Sequence, residues 1–150
     1  ELYLSFVGGL GLNYCDLRSC FAIFGLKSKL QLLTESRQSI SSISAFDFVL
    51  SEMERPAVLS LSSAINTESN LSSKVFKNIA ASINIDSSIY ELRFKVIDEK
   101  LVNRRNKIAH GEYLDLEGRA FSELLDEILQ LMSDYKTDLQ NAASTEAYRR

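Results

Sequence analysis

The sequence predicts an all-α protein. Three observations carry this: apolar residues recur at helical spacing along most of the chain, turn pairs are scarce beside a single proline, and no glycine-rich phosphate loop interrupts the pattern. At 150 residues the chain is about one domain long and large enough for a core of its own. Residues 1–150 therefore read as a single domain, with the stretch from about Ala143 onward as a frayed tail. The two longest helices, joined through "HGEYLDLEG", are predicted to lie antiparallel in a helical bundle.

The elements follow in order. "ELYLSFVGGL" starts in mid-pattern, with Leu2, Leu4, Phe6 and Val7 already apolar, and reads as a truncated N-terminal helix whose beginning lies upstream. It lacks the basic region and apolar core of a signal peptide. Asn13 is an N-cap candidate for a helix through "YCDLRSCFAIFGL", with Leu17, Cys20, Phe21 and Phe24 at helical spacing and Gly25 near its stop. "LKSKLQLL" either continues that helix or begins another. "TESRQSISSIS" reads as a serine-rich loop. Ser42 or Ser44 then caps a short helix carrying Phe46, Phe48, Val49 and Met53, which Pro56 ends. "AVLSLSSAI" suits an extended segment or a short strand.

The second half is sharper. In "NLSSKVFKNIAASINI" Asn70 is the predicted cap, and Leu71, Val75, Ile79 and Ile83 follow in steps of four. Asp86 opens a long helix with Ile89, Leu92, Val96, Ile97, Leu101 and Ile108 facing inward and Gly111 at its stop. That helix is about 24 residues, roughly 36 Å. The last helix has an apolar face of Phe121, Leu124, Leu125, Ile128, Met132, Tyr135 and Leu139, with Glu123, Asp126, Glu127, Asp134 and Lys136 opposite.

Composition narrows the function classes. No apolar run approaches the roughly 18 residues of a membrane span. Cys15 and Cys20 have neither a second cysteine pair nor a nearby histidine, so no zinc spacing is present and no metal or cofactor is expected. Two cysteines are too few for a disulfide scaffold, which predicts buried or half-buried thiols in a cytoplasmic protein. A net charge of −3 offers no global attraction for nucleic acid. Locally the balance reverses: from Lys95 to His110, five cations (Lys95, Lys100, Arg104, Arg105, Lys107) face two anions (Asp98, Glu99). Such a strip is compatible with contacts to phosphate.

"NRRNKIAHGEY", residues 103–113, holds the single histidine of the chain. Residues four apart share a helix face, so Asn106 and His110 are stacked and Arg105 sits on the flank. An imidazole titrates near neutral pH and can pass a proton either way. An arginine fork grips phosphate oxygens and stays charged throughout a reaction. Asn106 can orient the ring or hold a phosphate oxygen. Together these types suffice for metal-free RNA cleavage, in which a 2′-hydroxyl attacks the neighbouring phosphate. A histidine before a helix-ending glycine is equally ordinary capping chemistry, and spacing alone leaves both readings open.

The stretch "LVNRRNKIAHGEY" resembles the signature of HEPN-domain proteins, an all-α superfamily with an R-x4-6-H motif whose arginine is often followed by asparagine. Arg105-Asn106-x3-His110 matches that form; Arg104 satisfies the spacing but lacks the polar follower. "SNLSSKVFKNIAASINID", "EKLVNRRNKIAHGEYLDLEG" and "LQNAASTEAY" extend the likeness, toward a prokaryotic branch linked to toxin and defence systems. The resemblance implies a HEPN-like bundle and a metal-independent endoribonuclease acting on RNA as a homodimer, its two motifs facing each other across a cleft. It implies Arg105 for phosphate, His110 for acid–base work and Asn106 for orientation, with Arg104 and Lys107 as contacts to the RNA backbone. An antitoxin or companion defence protein is the further partner it suggests. A non-catalytic HEPN module that binds RNA, a nucleotide or a partner protein is the alternative, and a purely structural dimerisation bundle a third. In HEPN toxins silenced by a partner nucleotidyltransferase a tyrosine follows the histidine by two positions, whereas Tyr113 follows His110 by three.

Overall fold

The computed structural model describes residues 1–35, 39–60, 71–112 and 118–150. Among them the regular structure is helical: α1 Leu2–Gly9, α2 Ser19–Glu35, α3 Ser39–Glu52, α4 Ser73–Ser82, α5 Asn103–Ala109 and α6 Gly118–Ser144. The described residues hold no strand, only two isolated antiparallel bridges, Asn13 with Pro56 and Leu17 with Arg149. The all-α expectation holds. The chain divides into two compact units, one of Glu1–Ile65, Ser82–Asn84 and Ala143–Arg150, the other of Asn66–Ala81 and Ile85–Ala142.

In the first unit α2 packs along α3. Phe21, Leu4 and Val7 are almost wholly buried, and Tyr14, Ala22 and Leu26 form a cluster against which Leu30, Val49 and Met53 pack. Asn13 starts a 3-10 turn, Tyr14–Asp16, rather than the helix itself; the Asp16 carboxylate accepts from the Asn13 amide at 3.1 Å. α2 begins at Ser19 and runs straight through Gly25, which is therefore not a stop. The Tyr14 ring crosses α2 at this glycine, and its hydroxyl donates to the Val58 carbonyl and accepts from the Val58 amide, both at 3.0 Å. α3 starts at Ser39, three residues before the earlier of the two predicted caps, so every described residue of the serine-rich stretch is helical rather than loop. From "AVLSLSSAI", residues 57–60 are irregular chain tied by Ala57 N to Leu12 O at 2.8 Å; the remainder lies outside the described residues.

The tail is also corrected. Residues 143–150 do not fray, because Tyr148 is 3 % exposed and meets Phe6 edge-on at 6.1 Å. Its carbonyl accepts from Arg18 N at 2.9 Å, and Arg150 N donates to Asp16 O at 3.0 Å. Asn84, in the left-handed region at φ 57°, adds a side-chain donation to Ala147 O at 3.0 Å. Cys15 and Cys20 are free and half-buried, as expected, and burial pushes the Cys20 thiol up.

The second unit is built on aromatic packing. Phe76 of α4 lies 5.3 Å from Tyr90 and 5.1 Å from Tyr135, with Ile97 and Leu131 completing the buried set. Burying each such side chain stabilises the fold by roughly 1.5–3 kcal/mol. Asn70, the predicted cap of α4, lies outside the described residues. The start of α4 is held by Ser72 Oγ, which accepts from Val75 N at 3.3 Å, and by Asp98, whose oxygens accept from Ser73 N at 2.7 Å and Ser73 Oγ at 2.5 Å. Val75, Phe76, Ala80 and Ile83 are buried, whereas Leu71 is exposed.

The predicted long helix is present as a continuous helical run. Asp86 opens it by accepting from Ser88 N at 2.9 Å and Ser88 Oγ at 2.8 Å, bonds that hold its carboxyl below the usual range. The run is 3-10 over Ser88–Arg93 and π-helical over Val96–Val102 before it becomes α5. α6 lies antiparallel to it: Tyr90 donates to Asp138, Arg93 pairs with Asp134 at 2.6 Å and Lys100 pairs with Glu127 at 2.8 Å. The predicted antiparallel pair is thus observed, and its predicted inward faces hold in part: Ile97 and Tyr135 pack in the core as expected. Tyr90, Phe94, Ile97 and Val102 turn toward the core, while Ile89, Leu92 and Ile108 are exposed. On α6, Leu131 is buried although it lies outside the predicted face. Phe121, Leu125 and Met132 of that face are exposed, and its Leu124, Ile128, Tyr135 and Leu139 are half-buried.

The π-helical stretch explains the slip beyond Ile97. In an α-helix the residue after Ile97 on the same face is Leu101, at i+4. A π turn closes at i+5 and brings Val102 there instead. Every residue downstream then keeps this one-place offset.

Candidate functional site

α5 carries the RNxxxH stretch. Its end is a complete Schellman motif: Glu112 N donates to Lys107 O at 2.9 Å and Gly111 N to Ile108 O at 3.1 Å. Gly111 takes the left-handed conformation this requires, at φ 71°. His110 is the capping residue, with φ −89° and ψ 3°, and its amide donates to Asn106 O at 2.9 Å. The predicted stop at Gly111 is therefore correct. It leaves the imidazole exposed at the helix end.

The π-helical offset sets how the motif faces. With Val102 on the core side, Asn106 at i+4 from it is half-buried and Arg105 is exposed. The two side chains still meet: Arg105 Nη1 donates to Asn106 Oδ1 at 3.1 Å. That bond ties the guanidinium beside the helix face bearing His110 and leaves its other donors for an anion.

Arg104 and Arg105 also border a groove of about 230 Å³ in the second unit. Its floor is Leu101, Ile108, Phe121 and Leu124, and Lys100 is the third cation on its wall. Lys100 is engaged by Glu127, with bonds at 2.8 and 2.9 Å to the two carboxylate oxygens. Arg104 forms no ion pair among the described residues. Lys107 is half-buried and does not line the groove. Tyr113 lies outside the described residues. The structure thus gathers Arg104, Arg105 and Asn106, sets His110 one helical turn beyond Asn106, and separates Lys107 from the groove.

Two participants in this arrangement were not singled out from the sequence. Lys100 was only one member of the cation strip, and Phe121 was assigned to the core face of the last helix. The apolar–basic combination depends on α6 lying against the run, which no local spacing reveals.

A comparison with family models matches RiboL-PSP-HEPN over residues 1–141. The chain belongs to the RiboL-PSP-HEPN family. No curated protein and no solved structure matches it. The HEPN resemblance of the motif is therefore supported by a match spanning nearly the whole chain, and the helical fold agrees with it. Among the described residues of this HEPN chain, no helix is long and apolar enough to cross a membrane.

Proposed function

We propose that this HEPN chain is a metal-independent endoribonuclease whose active site is completed by a second copy. The observation that carries the reading is the exposed His110 at the Schellman-capped helix end, one turn from an asparagine already bonded to Arg105. The 2′-hydroxyl of the substrate loses its proton to an imidazole while its oxygen bonds to phosphorus. The bond from phosphorus to the 5′ oxygen breaks, and a protonated imidazole supplies that oxygen with its proton. Arg105 holds the extra negative charge on the phosphoryl oxygens, and Asn106 orients the guanidinium.

In-line displacement places the base and the acid on opposite sides of phosphorus. One chain has one histidine, so the partner's His110 supplies the other role. Exposed Leu125, Leu129 and Met132 on α6 offer apolar surface for such pairing. On this reading the activity is of the toxin or defence kind, restrained by an antitoxin or companion protein, and takes place in the cytoplasm.

The purified protein is expected to cut RNA in the presence of EDTA, leaving 2′,3′-cyclic phosphate ends, and His110→Ala to abolish cleavage while still binding RNA. Cleavage that survives His110→Ala would sink the assignment. Binding without turnover in the unaltered chain would make it a non-catalytic HEPN module.

A further inference from the structure

Beyond the reacting phosphate, the groove beside Arg104 and Arg105 has a composition that neither catalysis nor core packing requires. Its floor is apolar, yet three cations stand on its walls. Phe121 is 54 % exposed, although it lies on a helix whose neighbouring positions Leu124 and Ile128 are half-buried. At about 230 Å³ the groove is smaller than the roughly 300 Å³ at which drug-sized or cofactor sites begin. It has room for one heterocycle. A flat, apolar ring carrying an anionic chain is the ligand that satisfies both the floor and the walls.

We propose that this groove is a base-binding subsite: it takes one unpaired nucleobase of a single-stranded RNA, stacked on Phe121, while Arg104 holds the phosphate attached to that nucleotide. The inference rests on the ribonuclease reading for its substrate and deepens it. Arg105 lies on the wall of this groove and also next to Asn106, so a base seated there places the adjoining phosphodiester at the Arg105 end, toward His110. Lys100, neutralised by Glu127, contributes its aliphatic stem to the wall more than its charge. Stacking on an aromatic face tolerates any base, so the subsite selects single strands over duplex more than it selects a sequence.

The test uses the full chain with His110→Ala, so that substrate survives. Its affinity for a short single-stranded RNA is compared by fluorescence anisotropy with that for an otherwise identical strand containing abasic sites. The intact strand is expected to bind on the order of tenfold tighter, the size of one base–aromatic stack. Adding Phe121→Ala should erase that difference, and adding Phe121→Trp should preserve it. Adding Arg104→Ala should weaken both strands alike. Equal affinity for the intact and abasic strands overturns the proposal. So does a base preference that persists in Phe121→Ala. If Phe121→Ala leaves RNA binding untouched but dissociates the protein in sedimentation, the groove is a contact between copies and the proposal also fails. Cleavage by the unaltered chain is scored separately. Base-dependent binding without cleavage keeps the subsite and removes the ribonuclease; cleavage without base dependence does the reverse.

Discussion

Replacing Gly25 with alanine should destabilise the first unit, against the usual sign for this exchange. In an exposed helix interior, glycine to alanine gains about 1 kcal/mol. Gly25 lies inside α2, but a methyl group there would stand 2.5 Å from the Val58 carbonyl oxygen and 2.7 Å from Tyr14 Cε1, and closer still to the Tyr14 hydroxyl. Tyr14 must retreat, which removes two hydrogen bonds to Val58 of 3.0 Å each. At about 1 kcal/mol per bond, with roughly 1–3 kcal/mol for overpacking and the propensity gain set against them, the net loss is about 3 kcal/mol. For a urea slope of ~2 kcal/mol per molar, the unfolding midpoint falls by about 1.5 M. Tyr14→Phe removes the hydroxyl that the methyl strikes, so Gly25→Ala should cost less in that background, with a coupling of about 1 kcal/mol. An unchanged or higher midpoint for Gly25→Ala, or strict additivity in the double variant, would refute the steric account.

Three further outcomes follow from the second unit and the tyrosines. Gly111→Ala puts a β-carbon on a residue at φ 71° with no neighbour within 4 Å, so only backbone strain of about 1–2 kcal/mol applies; amide exchange at residues 111 and 112 should quicken about tenfold or more, Gly111→Asn should do so far less, and equal protection in all three proteins would contradict it. Asp98→Ala deprives the start of α4 of both acceptor oxygens and should cost about 1–2 kcal/mol by thermal melting, while Asp98→Asn should cost less; a melt unmoved by Asp98→Ala would refute the cap. At high pH, burial holds Tyr3 and Tyr135 up to about 12 and raises Tyr90, which also donates to Asp138. Their folded values exceed the unfolded value near 10, so this stabilisation is complete below about pH 10 and drains as the pH climbs from there toward 12. Tyrosinate absorbance and the loss of circular dichroism should rise together across that window; complete ionisation near pH 10 with the fold intact would contradict it.

The helical class, the stop at Gly111 and the motif were legible from local rules, because each depends on a few neighbouring residues. Asp86 as an opener and Gly111 as a stop are such cases: an Asp accepting from the amide two places on, and a glycine free to take positive φ. The facing of the helices was legible only in part. Between residues 89 and 102 apolar side chains populate two adjoining faces, so helical periodicity cannot choose between Ile89, Leu92 and Leu101 on one side and Tyr90, Phe94 and Val102 on the other. Nor does it register the single-residue offset of the π-helical stretch. Gly25 misled for a related reason. A glycine within an apolar run signals a stop or a close approach with equal force, and only the passage of the Tyr14 ring across α2 decides between them.

By itself, then, the sequence determined an all-α chain, the residues of the RNxxxH stretch and the helix end that presents them, all consequences of chemistry within a turn or two. Tertiary structure decided which of those residues face outward, that the closing eight residues pack rather than fray, and that Phe121 shares a groove with Arg104 and Arg105. The physical reason is range. Capping and helix formation are settled between residues a few places apart, whereas a face, a groove and a charge pair such as Lys100 with Glu127 exist only once distant segments lie side by side.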